Sequence, residues 1–131
     1  MVRGFDEEFF APHSRHTQVK KEDIQKIHEL KILAESEATG PHIISTKDKR
    51  RIFVQGHMEY DRDTLRLEYE RDINKGLEID VPRDYFKEDN PAKGIVVKWS
   101  GNGNLFFANW LNYVYQETPY DLSKLDDLNK K

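Results

Sequence analysis

The chain has 131 residues, enough for one compact domain, and its core must be modest because hydrophobic residues (37%) barely outnumber charged ones (34%). Its 21 basic and 24 acidic side chains are interspersed, so no basic stripe or acidic tail argues for nucleic acid or a membrane surface as partner. There is no cysteine, which excludes disulfides, thiolate metal sites and a cysteine nucleophile from this chain.

The start, MVRGFDEEFF, lacks the charged-then-apolar architecture of a signal peptide, and no apolar run is long enough to span a bilayer. The expectation is a cytoplasmic protein. In EFFAPHSRHTQV, aromatic residues precede Pro12, whose fixed φ and missing N–H suit the end of a strand. His13, Ser14, Arg15 and His16 then fall in a loop at that strand end. Between Lys20 and Ile27, the early acidic pair Glu22 and Asp23 and the spacing of Ile24 and Ile27 predict a short helix. LKILAES follows as a strand.

HIISTKDKRRIFVQ gives two β-branched runs around Lys47-Asp48-Lys49, a hairpin with a polar turn. Its second arm, Ile52-Phe53-Val54, does not alternate and reads as a central strand buried on both faces. A helix is expected to begin near Asp61 as N-cap and to run through TLRLEYERDIN to Gly76, with Leu65, Tyr69 and Ile73 on its apolar face. Strand, histidine, capped helix is the grammar of an α/β protein. Residues 77–103 carry Pro82, Pro91, Gly94, Gly101 and Gly103 and read as mainly irregular, a length of loop that is usually functional or interfacial. NLFFANWLNYVYQ is apolar nearly all round, the pattern of a helix buried in the domain or against a partner, and residues 122–131 read as a frayed tail.

Chemistry concentrates at His57 and Glu59. In extended backbone two residues apart face the same side with Cα atoms about 6.6 Å apart, within reach for a carboxylate to orient an imidazole and stabilise it once protonated. The bland reading is a surface His and Glu closing a loop. A general base needs something to activate, and without a cysteine the candidates are hydroxyls. Ser14 could complete a Ser14-His57-Glu59 triad, although no G-x-S-x-G elbow presents it. His13 and His16 have H-x-x-H spacing, but no H-E-x-x-H frame exists and Arg15 would repel a cation, so they read as loop polar groups and no metal site is expected. Arg71 is either half of an i−3 ion pair with Glu68 or a fork for a substrate carboxylate. Asn102 and its flanking glycines read as a mobile loop.

The ordered blocks RGFDEEFFAPHSRHT, ILAES, FVQGHMEYDRDTL, EYERDINKGL and NLFFANWLNYVYQETPYDL resemble the homoserine O-acyltransferase family, the homoserine O-succinyltransferases and O-acetyltransferases of methionine biosynthesis. The resemblance covers nearly the whole chain and only the C-terminal part of the family, somewhat less than half of the enzyme. It implies part of a flavodoxin-like, three-layer fold related to class I glutamine amidotransferases, with residues 1–131 forming the C-terminal part of a single catalytic domain. It also implies ping-pong transfer of an acyl group from acetyl-CoA or succinyl-CoA, through a cysteine, to the homoserine hydroxyl, with no bound cofactor. On this resemblance His57 is the general base, Glu59 its orienting carboxylate, and Ser14 and Arg71 are homoserine-binding positions.

The nucleophilic cysteine, an oxyanion-hole contribution and a substrate-binding lysine belong to an N-terminal half that the resemblance places outside this sequence. This chain alone is then expected to be inactive, and the full enzyme a homodimer. Three positions depart from the family pattern: Met58 replaces a usual proline, Asn102 a common histidine, and NYVYQ lacks a second tyrosine. One residue lost inside a helix turns all that follows by about 100°, which would alter the packing of residues 113–116. The competing reading is a non-catalytic remnant that acts as an interaction module through residues 106–115, since half of a parallel sheet leaves an edge and an apolar face uncovered.

Overall fold

A computed structural model describes residues 1–117 and residue 121. The frayed tail expected over residues 122–131 lies outside the described residues. The chain mixes helices with one three-stranded sheet: α1 (Lys21–Gln25), β1 (Leu30–Ser36), β2 (Gly40–Thr46), β3 (Ile52–Val54), α2 (Thr64–Asn74), two single 3-10 turns (Lys87–Asp89 and Pro91–Lys93), and α3 (Ser100–Glu117). The strand order is β1-β2-β3 and both pairings are antiparallel, so the parallel sheet edge expected from the sequence is not what this chain builds.

The hairpin forms as its sequence dictates. Thr46 N–H donates to the Arg51 carbonyl (2.9 Å), and the Asp48 carboxylate takes the Arg50 N–H (3.0 Å), closing the polar Lys47-Asp48-Lys49 turn. Burial falls on β2: its interior residues from Pro41 to Ser45 are all buried, whereas β3 is the edge strand, with Phe53 44% and Val54 37% exposed. The non-alternating Ile52-Phe53-Val54 run therefore does not mark a central strand. Among the described residues no strand forms in EFFAPHSRHTQV either. Pro12 has no N–H to give, and its carbonyl instead accepts from the His57 N–H (2.7 Å), which anchors this segment beside the end of β3.

Helix α2 starts at Thr64, later than the Asp61 cap expected, and its N-cap Asp63 makes no side-chain capping bond. Leu65 is buried on α2 but Ile73 is exposed, so the apolar face is narrower than the sequence implied, and the other buried residue is Asp72. One core cluster gathers Leu65, Tyr85, Phe86 and Trp99, and the Trp99 indole N–H donates to the Tyr60 carbonyl (2.8 Å). That bond ties the irregular residues before α3 to the entry of α2. A second cluster joins Ile43 of β2, Met58 and Phe106 of α3, with Val2, Phe5 and Phe9 packed against it. The Asn109 amide clamps the N-terminus by donating to the Met1 and Arg3 carbonyls, each at 2.8 Å.

Gly101, Asn102 and Gly103 are helical, not a loop. The reason lies in the packing: a Cβ on Gly103 would meet the Met58 carbonyl oxygen at 2.5 Å, so α3 rests directly on the backbone between His57 and Glu59. Helix α3 runs unbroken through Tyr113, whose hydroxyl donates to the Asp48 carbonyl (3.3 Å). Contrary to an all-round buried helix, only Gly103 and Phe106 are buried on α3, and Phe107, Trp110, Leu111 and Val114 form an exposed stripe at helical spacing.

The two helical glycines separate propensity from packing. Ala exceeds Gly by roughly 1 kcal/mol in a helix, and a Cβ at Gly101 meets nothing within 4 Å. Gly101→Ala is expected to raise the urea midpoint slightly, whereas Gly103→Ala is expected to lower stability by about 1–3 kcal/mol through overpacking against Met58. Equal gains for both would remove the close approach of α3 to residue 58.

Candidate active site

The site begins where the chain leaves the sheet. Gln55 donates its N–H to the His42 carbonyl (2.8 Å), the last bond of the hairpin type, and Gly56 then turns the backbone out. Gly56 is the residue the turn requires, because a Cβ there would stand 2.7 Å from His13 Nε2 and 2.9 Å from both His42 Cε1 and the Pro12 oxygen. From this point the side chains alternate. Met58 is buried in the core, and His57 and Glu59 on either side of it face outward.

His57 Nδ1 and Glu59 Oε1 lie 2.7 Å apart, with 37% of the histidine and 56% of the glutamate side chain exposed. The contact made by Nδ1 leaves Nε2 as the nitrogen available to a substrate proton. The His57 ring lies nearly parallel to Tyr60, with centroids 4.2 Å apart and 14° between planes. Tyr60 in turn donates its hydroxyl to Glu68 Oε1 (2.9 Å), and burial together with that bond pushes the phenol up to about 12. Tyr60 therefore works as a neutral platform that fixes one face of the imidazole. Sequence reasoning passed over it, although an aromatic residue immediately after Glu59 was a readable signal.

Arg71 sits near the end of α2, and its bond partner is not Glu68, the i−3 alternative that spacing offers. Its fork engages the neighbouring Asp72, Nε to Oδ1 at 2.7 Å and Nη2 to Oδ2 at 2.9 Å. This bidentate bond raises the guanidinium pKa and lowers that of the mostly buried Asp72 carboxylate. Two of the five N–H donors of an arginine are used by such a fork, and the rest stay available on a side chain that is 52% exposed. Glu68, which accepts the Tyr60 hydroxyl, and Tyr60 itself also act electrostatically on Arg71.

Ser14 is half-buried in the segment that Pro12 and His13 pin against Gly56 and His57. Among the described residues no hydrogen bond joins Ser14 to His57, so the Ser14-His57-Glu59 triad is not assembled. Arg15 reaches across this segment to Gln55 Oε1 (3.4 Å) and to the Thr39 carbonyl. No group of three or more His, Asp or Glu residues is arranged to hold a metal ion among the described residues. A groove of about 550 Å³ lined by Phe5, Lys21, Ile24, Leu33 and Glu35 contains none of the four candidate residues.

His13 is not the solvated loop histidine its sequence context implied. Its ring packs 5.2 Å from that of His42, and both are driven down from 6.5 to about 4, chiefly by burial, with Arg15 adding repulsion in each case. The fold holds them neutral, whereas an unfolded chain would take up protons on both near pH 6.5. Their contribution to stability is complete above about pH 6.5 and is lost as pH falls through about 4. Urea midpoints measured between pH 7 and 4 should therefore decline toward acid, and a His13→Asn/His42→Asn double variant should show a shallower decline; an unchanged slope would overturn the assignment.

Comparison with known proteins places the chain in a family. The family model described as homoserine O-succinyltransferase matches residues 1–120. The chain is 58% identical over 121 residues to a homoserine O-acetyltransferase of Clostridium tetani, covering 92% of this chain and 40% of that protein. It is likewise 58% identical over 123 residues to the homoserine O-acetyltransferase of Clostridium acetobutylicum (93% and 41%) and 57% over 123 residues to that of Bacillus cereus (93% and 41%). The chain thus spans about two fifths of the length of the curated relatives it matches. With a single family model running from residue 1 to residue 120, the chain belongs to the homoserine O-succinyltransferase family.

Proposed function

We propose that this chain is the base-bearing portion of a homoserine O-acyltransferase of methionine biosynthesis. The observation that carries the reading is the 2.7 Å contact between His57 Nδ1 and Glu59, which does not engage Nε2. In this role His57 takes the proton of the homoserine hydroxyl as its oxygen attacks an acyl-thioester. The carbonyl–sulfur bond breaks, the cysteine leaves as thiolate, and the imidazolium returns the proton to it. Glu59 stabilises the imidazolium while it exists. The remaining donors of Arg71 hold the homoserine carboxylate, and Ser14 lines the same pocket. The cysteine comes from the additional length that the relatives possess, and that same length supplies the parallel strands of a flavodoxin-like fold, which the antiparallel β1-β2-β3 sheet does not contain. The acyl donor is read as acetyl-CoA ahead of succinyl-CoA, because the matched relatives carry the acetyltransferase name.

Mixing this chain with the cysteine-bearing remainder of a matched relative tests the proposal through release of CoA in the presence of homoserine. Neither part alone should turn over, and the mixture should. His57→Ala in the mixture is expected to reduce kcat by about 10²–10⁴-fold. Arg71→Lys should raise the homoserine KM roughly 10- to 100-fold, the effect of losing one charge-assisted bond of ~1.5–3 kcal/mol. Acyl transfer by this chain alone would sink the proposal.

A second reading, an interaction module without catalysis, is favoured by the exposed Phe107, Trp110, Leu111 and Val114 stripe on α3. Light scattering separates the two. Both readings predict self-association of the isolated chain, but only the acyltransferase reading predicts that adding the cysteine-bearing part converts the associated material to a defined complex. Association that persists unchanged favours the interaction module.

A further inference from the structure

The peptide that delivers His57 is held at three successive N–H groups. Gln55 N–H goes to the His42 carbonyl (2.8 Å), Gly56 N–H to the His42 ring at Nδ1 (3.2 Å), and His57 N–H to the Pro12 carbonyl (2.7 Å). The sheet ladder ends at Ser45↔Ile52 through Ile43↔Val54, so beyond it the backbone has no strand partner on this side. His42 supplies both of the next two acceptors, one from its main chain and one from its side chain. It is only 5% exposed, on the buried central strand next to Ile43 and Ile44, where an aliphatic residue would pack without a polar atom to satisfy. Its other nitrogen, Nε2, is buried with no hydrogen-bond partner among the described residues. A buried polar atom left unpaired is a standing cost, and it needs a compensating reason to be there.

We propose that His42 is a positioning residue for the catalytic base: its unprotonated Nδ1 takes the Gly56 N–H and thereby fixes the peptide that aims His57 at Glu59. The proposal rests on the reading of His57 as the base. Accepting from an N–H requires the tautomer with hydrogen on Nε2. The groups around the ring keep it in that form. His13 faces it at 5.2 Å between centroids, Phe9 covers it at 5.7 Å, and the cationic Arg15 acts on it from the Ser14 segment, so nothing adjacent stabilises an imidazolium. Protonation would place a donor against the Gly56 donor and release the peptide.

The test needs no variant for its first arm. A long-range 1H–15N spectrum of the full 131-residue chain at neutral pH should show His42 protonated at Nε2 only; Nδ1–H overturns the proposal outright. In the second arm His42→Asn, whose Oδ1 falls where Nδ1 stood, should keep Gly56 amide exchange near the unsubstituted rate. His42→Leu should accelerate it by about tenfold or more and shift the His57 titration midpoint by NMR. Should the leucine variant not fold, His42→Gln, which keeps bulk and polarity but carries its acceptor farther out, takes its place. In the mixture with the cysteine-bearing part, leucine should lower kcat by about tenfold with homoserine KM unchanged, and asparagine should restore it. Asparagine and leucine behaving alike, or Gly56 exchange indifferent to both, would overturn the role of His42. An unsubstituted mixture without turnover would refute the acyltransferase reading instead, and the tautomer and exchange results would still stand by themselves.

Discussion

The site depends on the burial of one side chain, Met58. Its 4% exposure, its contact with Ile43 and Phe106, and the seat of Gly103 on its carbonyl fix the direction in which residue 58 points. Met58 lies in the turn that follows Gly56, and its inward packing leaves His57 and Glu59 on either side of it facing out. His57 and Glu59 are thus aimed by hydrophobic packing, and their 2.7 Å contact is a consequence of the packing more than its cause.

Around that axis the polar contacts grade from buried to open. His42 and His13 lie behind the His57 peptide, neutral and largely shielded. Tyr60 forms the wall, and its hydroxyl links the imidazole through Glu68 to the helix that carries Arg71. His57 and Glu59 themselves remain half open to water, where an ion pair contributes little and is screened by salt. Exclusion of water is what makes such a pair effective in proton transfer. The described residues supply the walls behind and beneath the base, and the front is left to whatever covers it.

Much of this was legible in the sequence because it depends on local rules. The Lys47-Asp48-Lys49 turn and the helix through TLRLEYERDIN follow from turn chemistry and from a period of 3.6, and both are present; the expected contact of His57 with Glu59 is present too, although a turn and not an extended strand makes it. The failures have a common cause, which is that pattern does not report what lies on the other side of an element. Ile52-Phe53-Val54 was read as central because it is apolar throughout, yet it is an edge strand with Phe53 and Val54 exposed. Gly101 to Gly103 read as loop because glycine lowers helix propensity, whereas Gly103 is there for the approach to Met58. Spacing offers Arg71 either Glu68 or a substrate carboxylate, and gives no sign that the adjacent Asp72, turned inward, takes the fork. His42 carried no sequence signal at all, since a histidine in a β-branched run gives no hint that its ring will meet a backbone N–H fourteen residues on.

The misread burials fall on three elements: Ile73 on α2, Phe53 and Val54 on β3, and Phe107, Trp110, Leu111 and Val114 on α3 are residues whose sequence predicted burial and whose side chains are exposed. Scattered apolar residues on a surface need no explanation, but apolar residues at positions 107, 110, 111 and 114 make a continuous stripe on a helix, and that does. The chain spans about two fifths of the length of its matched relatives. An amphipathic period whose apolar face is open to water is the pattern of a helix suited to pack against something, so the period of α3 is legible in the sequence while what it packs against is not.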